Sequence, residues 1–440
     1  MFKVFYKYSA CISICTDDTT ILCDPWFSDA YEGTWTQYPK QESYLKNIGD
    51  FDVVYISHIH PDHYDSTTLK KLFKFYGNKK IIIADWGDSK GSFLEKKMQS
   101  DGFGKFLTVS NNLDFGKTRV NIIPNSTGSI SDIDSAILVS SIESNKSVLN
   151  INDCIYNESL FNKINNLKEK LNVEISLFCL GYTGAGPYPQ TYYSPFTEKE
   201  VLEKKAEEKK ISFFKRYSKT IKAISSKKRL PFAGKYLLQG NLSVLNKYRG
   251  VADAMEVKDF DKDAIVLDDG GDCFFNIETL SVSRERSEKY DLPDIFNFEK
   301  IFSWRKNISF FPSNVLLKRL LIQSIKRAHQ KSECEVNALY SFYVYDKPEE
   351  FLEILQIPKP YDHFESLFTF NCNKNLNPFD LPESVKVHSH VFIESKALFA
   401  VLTGLTHWNN YEVGSVYQVR RLPDIYIREM YSYLNFLSVI

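Results

Sequence analysis

The sequence predicts a mixed α/β fold in two parts, and three observations carry that prediction. Short runs rich in β-branched and aromatic residues alternate with amphipathic helical stretches as far as about residue 290. The length, 440 residues, suits two domains at roughly 100–200 residues each. Asp291-Leu292-Pro293 reads as a turn, because proline disfavours helix in the residue before it, and an acidic, aromatic stretch follows. The boundary is therefore expected near 290–305, dividing a domain of 1–290 from an accessory region of 295–440.

In order, Phe2–Tyr8 and Thr20–Cys23 read as strands joined by a turn at Asp17-Asp18. Val53–Ser57 is a short apolar run, expected as a buried strand. The spacing of Leu69, Leu72, Phe73 and Tyr76 predicts a helix over 67–76, started by Asp65 or Ser66 and ended at Gly77. Strands follow at 81–84, 118–123, 136–141 and 147–151. Leu160, Ile164, Leu167 and Leu171 form one stripe of a helix over 158–171, and Ile175–Leu180 is the next strand. Thr197 and Glu200 have capping-box spacing at the head of a long helix expected to end before Pro231; its Lys and Glu form a solvated face. In the C-terminal part, Ser313 caps a helix expected to reach His329, with mixed helix and strand pattern beyond.

Composition narrows the function classes. Lys plus Arg and Asp plus Glu number 55 each, so there is no cationic excess of the kind a nucleic-acid binder uses against phosphates. No apolar run approaches the ~20 residues of a membrane-spanning helix. The N-terminal stretch lacks the basic start and small-residue cleavage site of a signal peptide. Eight scattered cysteines with no Cys-x-x-Cys or Cys-x-His spacing fit a reduced, cytoplasmic protein without a zinc ribbon or Rieske centre.

The chemistry concentrates in Ser57-His58-Ile59-His60-Pro61-Asp62-His63-Tyr64-Asp65, which holds three of the eight histidines. Extended backbone has period two, so His58 and His60 face one side, and Asp62 and His63 fall in the turn before the helix. Imidazole and carboxylate together suit a divalent ion such as zinc, iron, manganese or nickel rather than a soft copper site. Asp153, just past the strand at 147–151, is placed either to meet that cluster or to cap the helix at 158–171. Gly181-Tyr182-Thr183-Gly184-Ala185-Gly186-Pro187-Tyr188-Pro189-Gln190 is too rich in Gly and Pro for helix or sheet. It reads as a ligand-contacting loop, with Tyr182, Thr183, Tyr188 and Gln190 as contacts.

His-x-His-x-Asp-His at a strand end resembles the metallo-β-lactamase superfamily. The similarity extends to Cys23-Asp24-Pro25-Trp26-Phe27, the Val148–Cys154 segment, the Gly181–Pro187 loop and Pro231-Phe232-Ala233-Gly234-Lys235-Tyr236, in family order over roughly 1–280. The branch it resembles contains L-ascorbate 6-phosphate lactonase and CMP-N-acetylneuraminic acid hydroxylase. The resemblance implies an αββα sandwich for 1–290 and one or two metals. His58 and His60 match ligands of the first metal, Asp62 and His63 those of the second, and Asp153 the carboxylate between them. Asp24 matches a position that holds a ligand histidine by hydrogen bond. Two further family histidines have no counterpart here: the chain has none between His63 and His329, where Gly128–Asp134 and Leu238-Gln239-Gly240 stand instead. Asp132 or Asp134 is a candidate substitute. His388 and His390 have strand spacing and are read, with His329, His363 and His407, as structural or surface histidines.

The resemblance implies a metal-dependent hydrolase in which a metal-activated water attacks an ester, lactone or phosphoester of a sugar-like or nucleotide-sugar small molecule, with Asp62 or Asp153 orienting the water. Two alternatives stand beside it: a non-catalytic binding protein, and an iron-dependent nucleotide-sugar hydroxylase supplied with electrons by a separate protein.

Overall fold

The structure, a computed structural model, describes residues 1–87, 92–127, 133–292, 300–357 and 365–440; Asp132, Pro293 and His363 lie outside the described residues. Two sheets face each other. The first has eight strands, in the order Ser281–Val282, Phe274–Asn276, Lys3–Tyr8, Cys11–Cys15, Thr20–Cys23, Val53–Tyr55, Lys80–Ala84 and Phe106–Val109. The second has six: Lys228–Phe232, Glu174–Gly181, Lys146–Asn150, Ser135–Ser141, Thr118–Pro124 and Leu113–Phe115.

Period-two alternation sorts the side chains between layers. Val53, Tyr55, Ile82 and Ala84 point into the space between the sheets and meet Val120, Ile137, Val139, Val148 and Leu177. Val54, Ile81 and Ile83 point the other way, onto Leu69 and Leu72 of helix Ser66–Tyr76 and Met98 of helix Ser92–Ser100. On the far side Ala136, Leu138 and Phe178 meet Leu160, Phe161 and Ile164 of helix Glu158–Leu171, and Tyr217 of helix Lys199–Ala223. The layering is helix, sheet, sheet, helix: the metallo-β-lactamase sandwich expected above. Each fully buried leucine in these layers contributes about 1.5–3 kcal/mol.

The C-terminal part builds a four-stranded sheet, Phe368–Asn371, Ala338–Tyr345, Val387–Glu394 and Gln418–Leu422. Helix Asn314–His329 packs on it, with Ser313 accepting from Leu316 N–H at 3.3 Å. One apolar cluster runs from Tyr8, Leu22 and Ile56 through Trp304 to Leu398, Tyr411 and Leu434, so the outer face of the first sheet and the C-terminal part share a core.

Three expectations need correction. Cys11–Cys15 is a strand of its own between those expected at 2–8 and 20–23. The turn that precedes it runs through Ser9 at φ +49, with no glycine or proline to mark it. The long helix spans Lys199–Ala223, and the Thr197–Glu200 box is not formed; Ser194 Oγ takes the Thr197 N–H instead, at 3.0 Å. Pro231 lies inside strand Lys228–Phe232 rather than ending a helix, which is tolerable because that strand is the edge of its sheet.

Candidate metal centre

Adjacent parallel strands Thr20–Cys23 and Val53–Tyr55 end side by side, where Asp24 N–H donates to Tyr55 O at 3.0 Å. This delivers Asp24 and His58 to the same carboxyl-end crevice, a common place for sites in sheets with parallel strands. His63 and Tyr64 N–H both donate to His60 O, at 2.9 and 2.8 Å, forming the tight turn of the motif. Asp65 is consumed structurally: it caps the following helix through Thr68 N at 3.0 Å and anchors Phe27 and Ser28 N–H. Backbone in the left-handed region gathers here, at Asp24, Tyr31, Glu32, Asn152 and Ala233, with φ from +41 to +62.

The hydrogen bonds fix which ring nitrogens are bare. A carboxylate only accepts, so Ser57 Oγ (2.6 Å) and His63 Nδ1 (2.9 Å) both donate to Asp24 Oδ2. With its proton spent there, Ser57 Oγ accepts from His58 Nδ1 at 2.9 Å. The Ser57 backbone N–H closes the arrangement on Asp24 Oδ1 at 2.8 Å. His58 therefore carries its proton on Nδ1 and presents Nε2 as a lone pair, while His63 has a proton on Nδ1 and turns Nε2 towards the carboxylates. His58 Nε2 lies 2.9 Å from His60 Nδ1. His63 Nε2 lies 3.5 Å from Asp153 Oδ2 and 3.7 Å from Asp62 Oδ2, while Tyr31 OH donates to Asp62 Oδ1 at 2.5 Å. His58, His63 and Asp153 each offer a ligand atom within 4.8 Å of the others. The helix at 158–171 takes its cap from Asn157, whose side chain accepts from Ser159 N–H, leaving the Asp153 carboxylate for the cluster.

The electrostatics suit a cation. Burial, then the neighbouring His63 and His60 rings, push the His58 pKa well below the usual histidine value, so it stays neutral. Burial lowers His60 as well. Burial opposes a charge on His63 too, but Asp153, Asp62 and Asp24 together overcome it and raise its pKa well above the usual value. Three carboxylates around one imidazole demand positive charge at that point, and neutral imidazoles with bare nitrogens stand beside it. The donor set fits a divalent ion.

The other expected positions divide. Asp134 Oδ1 lies 3.7 Å from His58 Nδ1, behind the ring and away from the nitrogen that faces His60. Gln239 Nε2 donates to Gly33 O and Trp35 O, at 3.1 and 3.3 Å. A cavity of about 220 Å³ opens beside the carboxylates, its walls including Asp62, Asp153, Thr183, Arg216, Lys235 and Tyr236. Of the four loop residues named from sequence, only Thr183 lines it. Tyr182 is buried against Gly234; Gln190 is 0% exposed, with Nε2 bonded to Gly186 O and Ser415 Oγ; Tyr188 packs on Tyr192 and Tyr193. Gly184 is small for the sake of packing, since a Cβ there would sit 1.8 Å from Phe213 Cζ. Sequence reasoning missed Ser57, although it adjoins the motif, and Tyr31 and Asn409, which carry no local signal; Asn409 Oδ1 lies 3.2 Å from His60 Nε2.

Residues 3–128 match the model of the Beta-lactamase superfamily domain. A protein of Mycolicibacterium smegmatis named as a Rieske 2Fe-2S iron-sulfur protein is 28% identical over 193 residues, which is 42% of this chain and 34% of that protein. Cytidine monophosphate-N-acetylneuraminic acid hydroxylase of Cricetulus griseus is 25% identical over 245 residues, 53% of this chain and 40% of the hydroxylase. The match thus takes in well under half the length of these relatives. Among solved structures, Igni18, a metallo hydrolase from Ignicoccus hospitalis, aligns with a TM-score of 0.37 at 14% identity, over 62% of this chain and 98% of its own. CmlA, a diiron β-hydroxylase from Streptomyces venezuelae, aligns with a TM-score of 0.39 at 15% identity, over 60% of this chain and 52% of its own.

Proposed function

We propose that this chain, whose residues 3–128 match the Beta-lactamase superfamily domain model, is a metal-dependent hydrolase acting on an ester, lactone or phosphoester of a sugar-like or nucleotide-sugar molecule. The observation that carries this reading is the cluster of three imidazoles with Asp62 and Asp153, the two carboxylates also lining a cavity. His58, His60, Asp62, His63 and Asp153 would hold the ion, zinc in the first instance, with iron or manganese as alternatives, as one or two ions. A divalent ion there supplies Lewis acidity and brings the pKa of water towards neutrality.

The chain's own groups do the rest. Asp62 or Asp153 orients the attacking water and accepts its proton. Tyr31 OH holds one oxygen of Asp62, so the other stays aimed at His63. Arg216 has no ion-pair partner among the described residues, stacks on Phe213 at 4.7 Å and offers its charge to a phosphate or carboxylate in the cavity. Trp35 and Tyr236, stacked at 3.4 Å with the Arg249 guanidinium over the Tyr236 ring, form a rigid buried floor beside the cavity. No helix among the described residues is long and apolar enough to cross a membrane. Eight buried free thiols are consistent with work in the reducing cytoplasm.

A second reading, an iron-dependent hydroxylase with a separate electron donor, has the hydroxylase relative in its favour. The test is metal analysis of the chain purified without chelator, followed by turnover of ester, lactone and phosphodiester panels with each ion restored. Stoichiometric metal with metal-dependent hydrolysis supports the first reading. Oxygen consumption with iron and a ferredoxin, without hydrolysis, moves the assignment to the second. A chain that takes up no ion contradicts both and leaves a binding protein.

A further inference from the structure

Two of the three motif histidines owe their tautomer to Asp24; the third does not touch it. His60 has Nδ1 2.9 Å from the bare His58 Nε2, and Nε2 3.2 Å from Asn409 Oδ1, on a residue 349 positions away. We propose that Asn409 of the C-terminal region is the positioning residue of the metal centre that holds His60 in its ion-binding tautomer. This inference rests on the metal-dependent reading above.

The argument is one of proton placement. An ion shared by His58 Nε2 and His60 Nδ1 needs both nitrogens bare. The His60 proton must then sit on Nε2, where only an acceptor can meet it. Asn409 Oδ1 is that acceptor. A group of the same size with no acceptor leaves the proton free to move to Nδ1, where it would hydrogen-bond His58 Nε2 and close the site to the ion.

The surroundings hold Asn409 in place. Trp408 is buried, packing on Tyr417 at 4.6 Å and Phe342 at 6.0 Å. The His407 ring takes the Asn409 N–H at 3.2 Å. Thr406 Oγ1 donates to Glu32 at 2.8 Å, tying this segment to the turn whose Tyr31 holds Asp62. Gly414 lets the backbone come so near that turn that a Cβ would lie 2.7 Å from Thr34 Oγ1. The C-terminal region thus braces the motif from two sides, at His60 directly and at Asp62 through the Tyr31 turn.

The test uses the full chain, stripped of metal and titrated with zinc or cobalt against a competing chelator. Asn409→Leu is expected to loosen the ion by about 10–100-fold, the usual cost of removing a ligand's hydrogen-bond partner. Asn409→Asp keeps an acceptor and is expected to hold the ion as tightly as the parent chain. Asn410→Leu, one residue on, is expected to change nothing. Ring ¹⁵N shifts of the metal-free chains should show the His60 proton on Nε2 in the parent and moved towards Nδ1 in N409L, a change that a merely structural role would not produce. The same His60 tautomer in metal-free N409L and parent, or equal ion affinity in the two, overturns the inference. If the parent chain takes up no ion, the reading beneath it fails instead, so the two failures are distinguishable.

Discussion

Asp24→Asn is a near-isosteric change that reverses the logic of the site. Asn tolerates the φ of +41 that the backbone adopts here, so the fold is not the target. If the remaining oxygen keeps the Ser57 N–H, the new NH₂ faces Ser57 Oγ and His63 Nδ1, where two donors now point. A donor cannot accept, so His63 must move its proton to Nε2. Ser57 Oγ turns its own proton to His58 Nδ1, and that ring moves its proton to Nε2 as well. One substitution thus blocks two nitrogens that face the ion. At about 10–100-fold per lost partner, the combined loss of ion affinity is on the order of 100-fold or more. Loss of the charge-assisted bonds costs roughly 1.5–3 kcal/mol in addition. Chelator competition reads the first quantity and denaturant unfolding of the metal-free chain reads the second. An affinity within threefold of the parent would refute the proton assignment given above.

Arg216→Gln should raise KM for an anionic substrate by roughly 10–100-fold, the worth of a charged hydrogen bond, and leave an uncharged ester analogue unaffected; equal effects on both would remove Arg216 from recognition. Gly184→Ala should destabilise the chain by about 1–3 kcal/mol through its collision with the Phe213 ring. Adding Phe213→Ala should cancel most of that loss in a double-mutant cycle, and full additivity would contradict the contact. His390 sits buried between His388 at 4.1 Å and the Tyr343 hydroxyl at 3.0 Å, with Arg420 opposite it on the next strand, and burial lowers its pKa to about 4. The unfolded chain therefore binds this proton first: the native state carries no penalty above the ordinary histidine value and loses stability progressively from there down to about pH 4. His390→Phe should flatten that part of the stability profile relative to the parent, and an unchanged profile would count against the burial argument.

Much of the fold was legible because its signals are local. The helix at 158–171 announced itself by one apolar stripe, and strand Thr20–Cys23 by a β-branched apolar run. Cys11–Cys15 was hidden because its preceding turn uses a left-handed serine rather than glycine, and every residue of the strand is buried, so no alternation shows. The motif histidines were visible as a cluster within six residues. Asn409 was not, because it meets His60 only through the packing of Trp408 into a distant sheet. The loop at 181–190 was legible in part: Gly181, Thr183, Gly184 and Ala185 line the cavity, while Gly184 also makes room for Phe213 and Gln190 turns inward to Ser415.

The most direct test is anomalous diffraction from crystals grown with zinc, iron or manganese. The account expects an ion at about 2.0–2.2 Å from the bare imidazole nitrogens and carboxylate oxygens, the nitrogens being His58 Nε2 and His60 Nδ1, or His63 Nε2 beside Asp62 and Asp153. Solvent alone between those rings with all three metals would contradict it.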